Sequence, residues 1–164
     1  MNEILFSSAS EEWETQQDLF NKLNNEFNFT VDVASSELNY KCKKHYTQKE
    51  DGLLQNWDNE VVWCNPPYGR KIGEWVKKAS ESKAIIVMLL PARTDTKWFH
   101  DYIYNKQNIE IRFIKGRLKF GNSKNSLNVL DTSSNIFAIL FSSHLIDNPV
   151  YIIPTISCCN IFII

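Results

Sequence analysis

The stretch VVWCNPPYG, Val61 to Gly69, decides how this chain is read. Its first four residues are apolar and read as a buried strand. They run directly into Asn65, two prolines, an aromatic and a glycine. Asn65 precedes a proline and is pushed toward extended backbone. Pro66 and Pro67 each fix φ and carry no N–H, so the segment is stiff and non-helical. Asn65 offers a side-chain carbonyl and Pro66 a backbone carbonyl. Two acceptors held side by side suit a planar NH₂ group, which has two donors. Tyr68 supplies a ring for stacking a planar heterocycle, and Gly69 leaves room for close approach. Accepting both N–H bonds concentrates electron density on nitrogen and favours its nucleophilic form. The amine attacks first and sheds its proton later, so no strong base is required. The missing partner is an electrophile such as an activated methyl group. The plainer reading of the same residues is a rigid turn after a strand.

Outward from this stretch, strands and helices alternate. Leu19, Phe20, Leu23 and Phe27 recur at helical spacing, which predicts a helix from about Gln16 to Glu26. FNFTVDVAS (27–35) predicts a short strand that stops at Asp32. Residues 37–60 are polar and mixed, and read as a long functional loop with small elements. KIGEWVKKASES (71–82) carries Ile72, Trp75, Val76 and Ala79 on one helical face. AIIVMLLP (84–91) is a continuous apolar run of strand length, the pattern of a parallel strand covered on both faces. DTKWFHDYIYN (95–105) predicts a helix with Asp95 as cap. IEIRFIKGRLKFG (109–121) reads as strand, turn, strand, and NIFAILF (135–141) as a last strand. This alternation predicts an α/β domain with a mostly parallel sheet. Ligands of such sheets sit outside the carboxyl ends of strands, which singles out Asp32, Asn65 and Pro91.

The 164 residues favour one domain, and a net charge of −1 means that any nucleic-acid partner needs a local basic patch. One exists. Arg112, Lys115, Arg117, Lys119 and Lys124 fall within a segment that holds no acid and is interleaved with Phe113 and Phe120. It reads as a phosphate-contacting patch, or more plainly as a solvated hairpin face. Arg93 follows the second buried strand and is a further candidate for a phosphate or a carboxylate. The four cysteines form no C-x-x-C pair and the three histidines are scattered, so no metal site is expected. His100 reads as structural, because this chemistry needs no histidine. No leader or spanning segment is read. The apolar tail is broken by Pro154 and Asn160 and falls short of the ~20 residues a membrane helix needs. A reducing cytoplasm is the expected setting.

Asn-Pro-Pro-Tyr resembles motif IV of the amino-group methyltransferases that use S-adenosylmethionine. More specifically, seven segments together resemble the phage-type DNA N6-adenine methyltransferase (Dam) family. They are WET (13–15), DLFNKLNNEFNFTVDVA (18–34), KCKKHYT (41–47), DGLLQNW (51–57), VVWCNPPYGRKIGEWVKKA (61–79), VMLLPARTDTKWFHDYI (87–103) and RFIKGRLKFG (112–121). The resemblance runs from about Trp13 to Ser126, most of the chain. It implies a Rossmann-like class I methyltransferase fold with helices on both faces of the sheet. It implies S-adenosylmethionine as donor and adenine in double-stranded DNA as acceptor, flipped out of the stack because its N6 is otherwise inaccessible. Asn65, Pro66, Pro67 and Tyr68 are then catalytic, with Asn65 also next to the donor. Trp13 and Thr15 match a segment that lies over the donor in similar enzymes. Asp32 sits where a donor-binding motif is resembled, although DVASSELN (32–39) has no glycine; its plainer role is a helix cap. Asp51 is a candidate for the adenosine end, or simply part of a turn.

The resemblance departs at two places. Members favour proline after the Thr15 position, where this chain has Gln16. After GNSKNS (121–126), LNVLDTSSNIFAILF replaces a Pro- and Phe-containing stretch. Residues 1–141 are therefore read as the methyltransferase domain and 142–164 as an atypical apolar extension with a risk of aggregation. Two other readings remain open. One is an amino-methyltransferase acting on cytosine N4, RNA adenine or a protein glutamine. The other is a catalytically inactive DNA-binding relative. A cytosine-C5 enzyme is disfavoured, since no Pro-Cys pair is present.

Overall fold

Apolar periodicity translates into one central sheet in the computed structural model. The structure describes residues 15–114, and the backbone of 119–120, 130–131, 136–142 and 161–163. Helix α1 is Gln17–Phe27, with Leu19, Phe20 and Leu23 buried. It stops at Asn28, whose φ of 56° is left-handed and whose N–H donates to the Asn24 carbonyl at 2.8 Å. Strands β1 (Val31–Asp32), β2 (Lys44–His45), β3 (Val61–Cys64) and β4 (Ile85–Pro91) follow in chain order. Helix α2 (Ile72–Glu81) links β3 to β4, and α3 (Lys97–Tyr102) follows β4. Then come β5 (Ile109–Phe113), β6 (Lys119–Phe120), β7 (Leu130–Asp131), β8 (Ile136–Ser142) and β9 (Ile161–Ile163).

The sheet has the order β2-β1-β3-β4-β8-β5-β9. Pairing is parallel from β2 through β4 and between β5 and β9, whereas β8 runs antiparallel to both β4 and β5. Every strand of this sheet except β8 therefore points one way. The chain leaves β1 toward β2 on one side and returns to place β3 on the other. The carboxyl ends of β1 and β3 thus flank a topological switch point, where open α/β sheets leave a crevice.

Strand alternation explains the unbroken apolar run of β4. Ile86, Met88 and Leu90 face one way, with Val62 and Cys64, and pack under α2 and α3. Val87 and Leu89 face the other way, with Trp63, and pack under α1. Helices thus cover both faces. Trp63 is almost fully buried and meets Phe20 edge-on at 5.2 Å, anchoring α1 to the sheet. Burying an apolar side chain of this size contributes about 1.5–3 kcal/mol.

The structure corrects two sequence expectations. Thr96, not Asp95, precedes α3, and no side chain caps that helix. The two strands expected within 109–121 do form, but they do not pair with each other. β5 joins β8 and β9 in the main sheet, and β6 pairs with β7 in a separate antiparallel ribbon. Periodicity marks strands, but carries no information on partners that lie far along the chain. The long 37–60 segment contains β2 and a single 3-10 turn at Gly52–Leu54. Gly52 is required there, because a Cβ on it would lie 1.9 Å from the Val33 carbonyl oxygen. The apolar tail supplies β9, with Ile161 opposite Ile111.

Candidate functional site

Three of the residues singled out from sequence meet in one cleft. It is lined by Thr15, Asp32, Ala34, Asn39, Lys41, Trp63 and Asn65, and lies at the switch point between β1 and β3. Asp32 ends β1, Trp63 lies within β3, and Asn65 follows β3 directly. Thr15 comes from the residues just before α1.

Asp32 does not cap a helix. Its Oδ1 accepts the Ala34 N–H at 3.2 Å and its Oδ2 accepts the Lys41 N–H at 2.9 Å. These bonds fold the 33–41 loop over the carboxylate and bring Asn39 and Lys41 into the cleft. Asp32 is 3% exposed, and burial raises its pKa from 3.8 to about 6 against the opposing backbone bonds and the charges of His45 and Lys41. Thr15 Oγ1 is buried in the same cleft and has no hydrogen-bond partner among the described residues.

The Asn-Pro-Pro-Tyr segment lies between β3 and α2, outside any regular element. Pro66 is buried, while Asn65 and Tyr68 are half-buried. Tyr68 Oη donates to Asn65 Oδ1 at 3.0 Å. The Tyr68 ring packs against the apolar clusters on both faces of the sheet. Burial, reinforced by nearby Cys64, pushes its phenol pKa well above the ordinary value of 10.0.

The other candidates are dispersed. Asp51 does not line the cleft; it opens the 3-10 turn with φ of 50° and accepts the Leu53 N–H at 3.0 Å. Arg93 is exposed in the turn after β4, where its carbonyl accepts from Thr96 Oγ1 at 2.7 Å. Arg112 on β5 is committed to carboxylates. Its two Nη atoms donate to Glu26 at 2.6 and 2.7 Å, its Nε donates to Glu110, and it lies over the Phe27 ring. Trp13, Lys115, Arg117 and Lys124 lie outside the described residues, as does the side chain of Lys119. His100 is exposed, with ring contacts to Phe99 and Tyr104. Among the described residues no His, Cys, Asp and Glu cluster can hold a metal, and no helix is long and apolar enough to cross a membrane.

Ala34, Asn39, Lys41 and Trp63 were not singled out by sequence reasoning as cleft residues. The only local signal was their position, just after a strand-ending Asp or just before the rigid Asn-Pro-Pro segment.

Residues 4–161 match the family model described as DNA N-6-adenine-methyltransferase (Dam). The chain is 37% identical over 102 residues to the DNA N-6-adenine-methyltransferase of Escherichia phage T1. That alignment covers 59% of this chain and 42% of the phage protein, so the chain spans less than half the length of this relative.

Proposed function

From the premise that the chain belongs to the DNA N-6-adenine-methyltransferase (Dam) family, we propose that it is a site-specific DNA adenine-N6 methyltransferase with S-adenosylmethionine as donor. One observation carries this reading. Asn65, the acceptor for the target amine, lines the same cleft as Asp32 and Thr15, the polar residues suited to the donor. Chemistry that joins an amine to a methyl donor needs both ligands at one place. The antiparallel strand β8 between β4 and β5 supports a Rossmann-like class I methyltransferase fold.

The residues present fit the donor. The orphaned Thr15 hydroxyl and the buried Asp32 carboxylate offer partners to an ammonium and to hydroxyls. When bound, S-adenosylmethionine supplies an electrophilic methyl group. The remaining steps belong to the chain. Asn65 Oδ1 and the Pro66 carbonyl accept the two N–H bonds of a flipped adenine. Pro66 and Pro67 hold those acceptors rigid, and Tyr68 stacks on the base. Trp63 walls the cleft. Trp13 completes the donor side, and Asp51, outside the cleft, shapes the turn at Gly52 that packs on Val33 next to Asp32. Arg93 and the basic residues Lys115, Arg117, Lys119 and Lys124 carry the duplex, whereas Arg112 is held by Glu26 and Glu110. The substrate is then double-stranded DNA in the host cytoplasm.

The test is methyl transfer from labelled S-adenosylmethionine to unmethylated duplex DNA, followed by nucleoside analysis. Wild type should yield N6-methyladenine. Asn65→Ala should lose activity by about a hundredfold or more while keeping its thermal midpoint, as when a preorganised polar group is removed from an active site. Label found on another acceptor, or equal rates for both proteins, would overturn the assignment.

A further inference from the structure

An amide used as an acceptor has a weakness: one end accepts and the other donates. Rotation of the Asn65 carboxamide by half a turn would present NH₂ to the NH₂ of the target, and the two would repel. Something must hold that side chain. The two prolines fix the backbone but do not reach the amide. The hydrogen bond from Tyr68 Oη to Asn65 Oδ1, 3.0 Å long, does reach it.

We propose that the hydroxyl of Tyr68, as distinct from its ring, is a positioning group. It holds the Asn65 carboxamide by its oxygen and fixes the acceptor that the target amine meets. The proposal rests on the methyltransferase reading above and assigns a second role within it. An amide oxygen has two lone pairs, so accepting from Tyr68 does not by itself exclude accepting from an amine. The anchor is independent of Asn65, because the Tyr68 ring is seated against apolar residues on both faces of the sheet. The two residues between them, both prolines, keep ring and amide in register. Burial also holds the phenolic proton tightly, so the hydroxyl stays a donor across the working pH range.

Four full-length proteins test the idea: wild type, Tyr68→Phe, Asn65→Asp and the double variant. Phenylalanine keeps the stacking ring and removes only the hydroxyl. A carboxylate has two equivalent oxygens, so rotation does not cost it the acceptor. Tyr68→Phe should lower kcat about three- to tenfold, the loss of one neutral hydrogen bond, with KM for DNA and donor unchanged. In the Asn65→Asp background the same change should cost less than about twofold, a non-additivity that a general support of the fold does not produce. Equal losses in both backgrounds, or no loss in either, would overturn the proposal. If wild type transfers no methyl to DNA, the functional reading fails by itself. The contact is then judged without activity, by the ¹³C resonance of the Asn65 side-chain carbonyl, assigned by its absence in Asn65→Asp. A shift of that resonance in Tyr68→Phe supports the positioning bond, and an unmoved resonance refutes it.

Discussion

Asn65 and Arg112 stand at opposite ends of one design contrast. Both are polar residues on or beside strands of the same sheet, and both read from sequence as functional. Asn65 owes its setting to its immediate neighbours: a buried strand before it, two prolines after it, and a tyrosine three residues on. Arg112 owes its setting to Glu26, 86 residues away, and to Glu110 on its own strand. The cleft side of the molecule is therefore built by local backbone rigidity, and the β5 side by a long-range ion pair that ties α1 to the sheet. A residue whose geometry is locally determined can be given a role from sequence. A cation can be given only a charge.

The strongest way to break this contrast is Arg112→Ala. Its side chain is 12% exposed, that of Glu110 8%, and their bond sits under the end of α1. Removing the cation leaves Glu110 buried without its partner, which should cost about 3–5 kcal/mol of stability, read from a denaturant midpoint. DNA affinity per folded molecule should stay as in wild type. The opposite result, little loss of stability with a salt slope of DNA binding lowered by about one, would place Arg112 on a phosphate and dissolve the contrast.

What sequence revealed follows the same division. The apolar run of β4 and the helical faces of α1 and α2 were legible because burial on a sheet or under a helix leaves a period in the chain. Asp32 and Asn65 were legible as cleft residues because they end strands that turn up next to each other in a parallel sheet. The pairing of β5 with β8, and of β6 with β7, was not legible, since a hydrophobic pattern fixes which face is inward and not which strand is adjacent. Lys41 was missed because its contribution begins with a backbone N–H donated to Asp32, and a backbone group leaves no mark on composition.

A sharper test of the cleft side is its pH dependence. The pKa of Asp32 is raised from 3.8 to about 6, so the folded chain holds this proton more tightly than the unfolded chain does. Its linkage contribution is fully present below pH 3.8 and is lost as pH rises through about 6. The loss is at most about 3 kcal/mol, taking ~1.4 kcal/mol per unit. Donor affinity should run the other way, rising through the same window as the carboxylate ionises to meet a cation. Asp32→Asn should flatten both profiles, measured by denaturation and by calorimetry with S-adenosylmethionine from pH 4 to 8. An unchanged stability profile would mean that the carboxylate is already solvated, and that the cleft is more open than its lining suggests.

The smallest effect tests local rigidity most directly, at Gln16. This residue is exposed and sits just before α1 with φ of −56° and ψ of 134°, an extended conformation that proline adopts without strain. Its carbonyl accepts the Phe20 N–H at 3.2 Å, a bond that a proline retains. Gln16→Pro should therefore stabilise the chain by about 0.5–1 kcal/mol, because the unfolded chain loses freedom that the folded chain does not use. The neighbouring Thr15 contributes the orphaned hydroxyl of the cleft, so fixing its carboxyl side should also preorganise the donor contact. The affinity gain should be small, about twofold or less, and carried by a slower off-rate. If the variant is stabilised and donor binding improves, the cleft is limited by the stiffness of its backbone. If it is stabilised while donor binding stays the same, Thr15 is already held by the burial of its side chain, and the cleft depends on packing as much as the β5 side depends on charge.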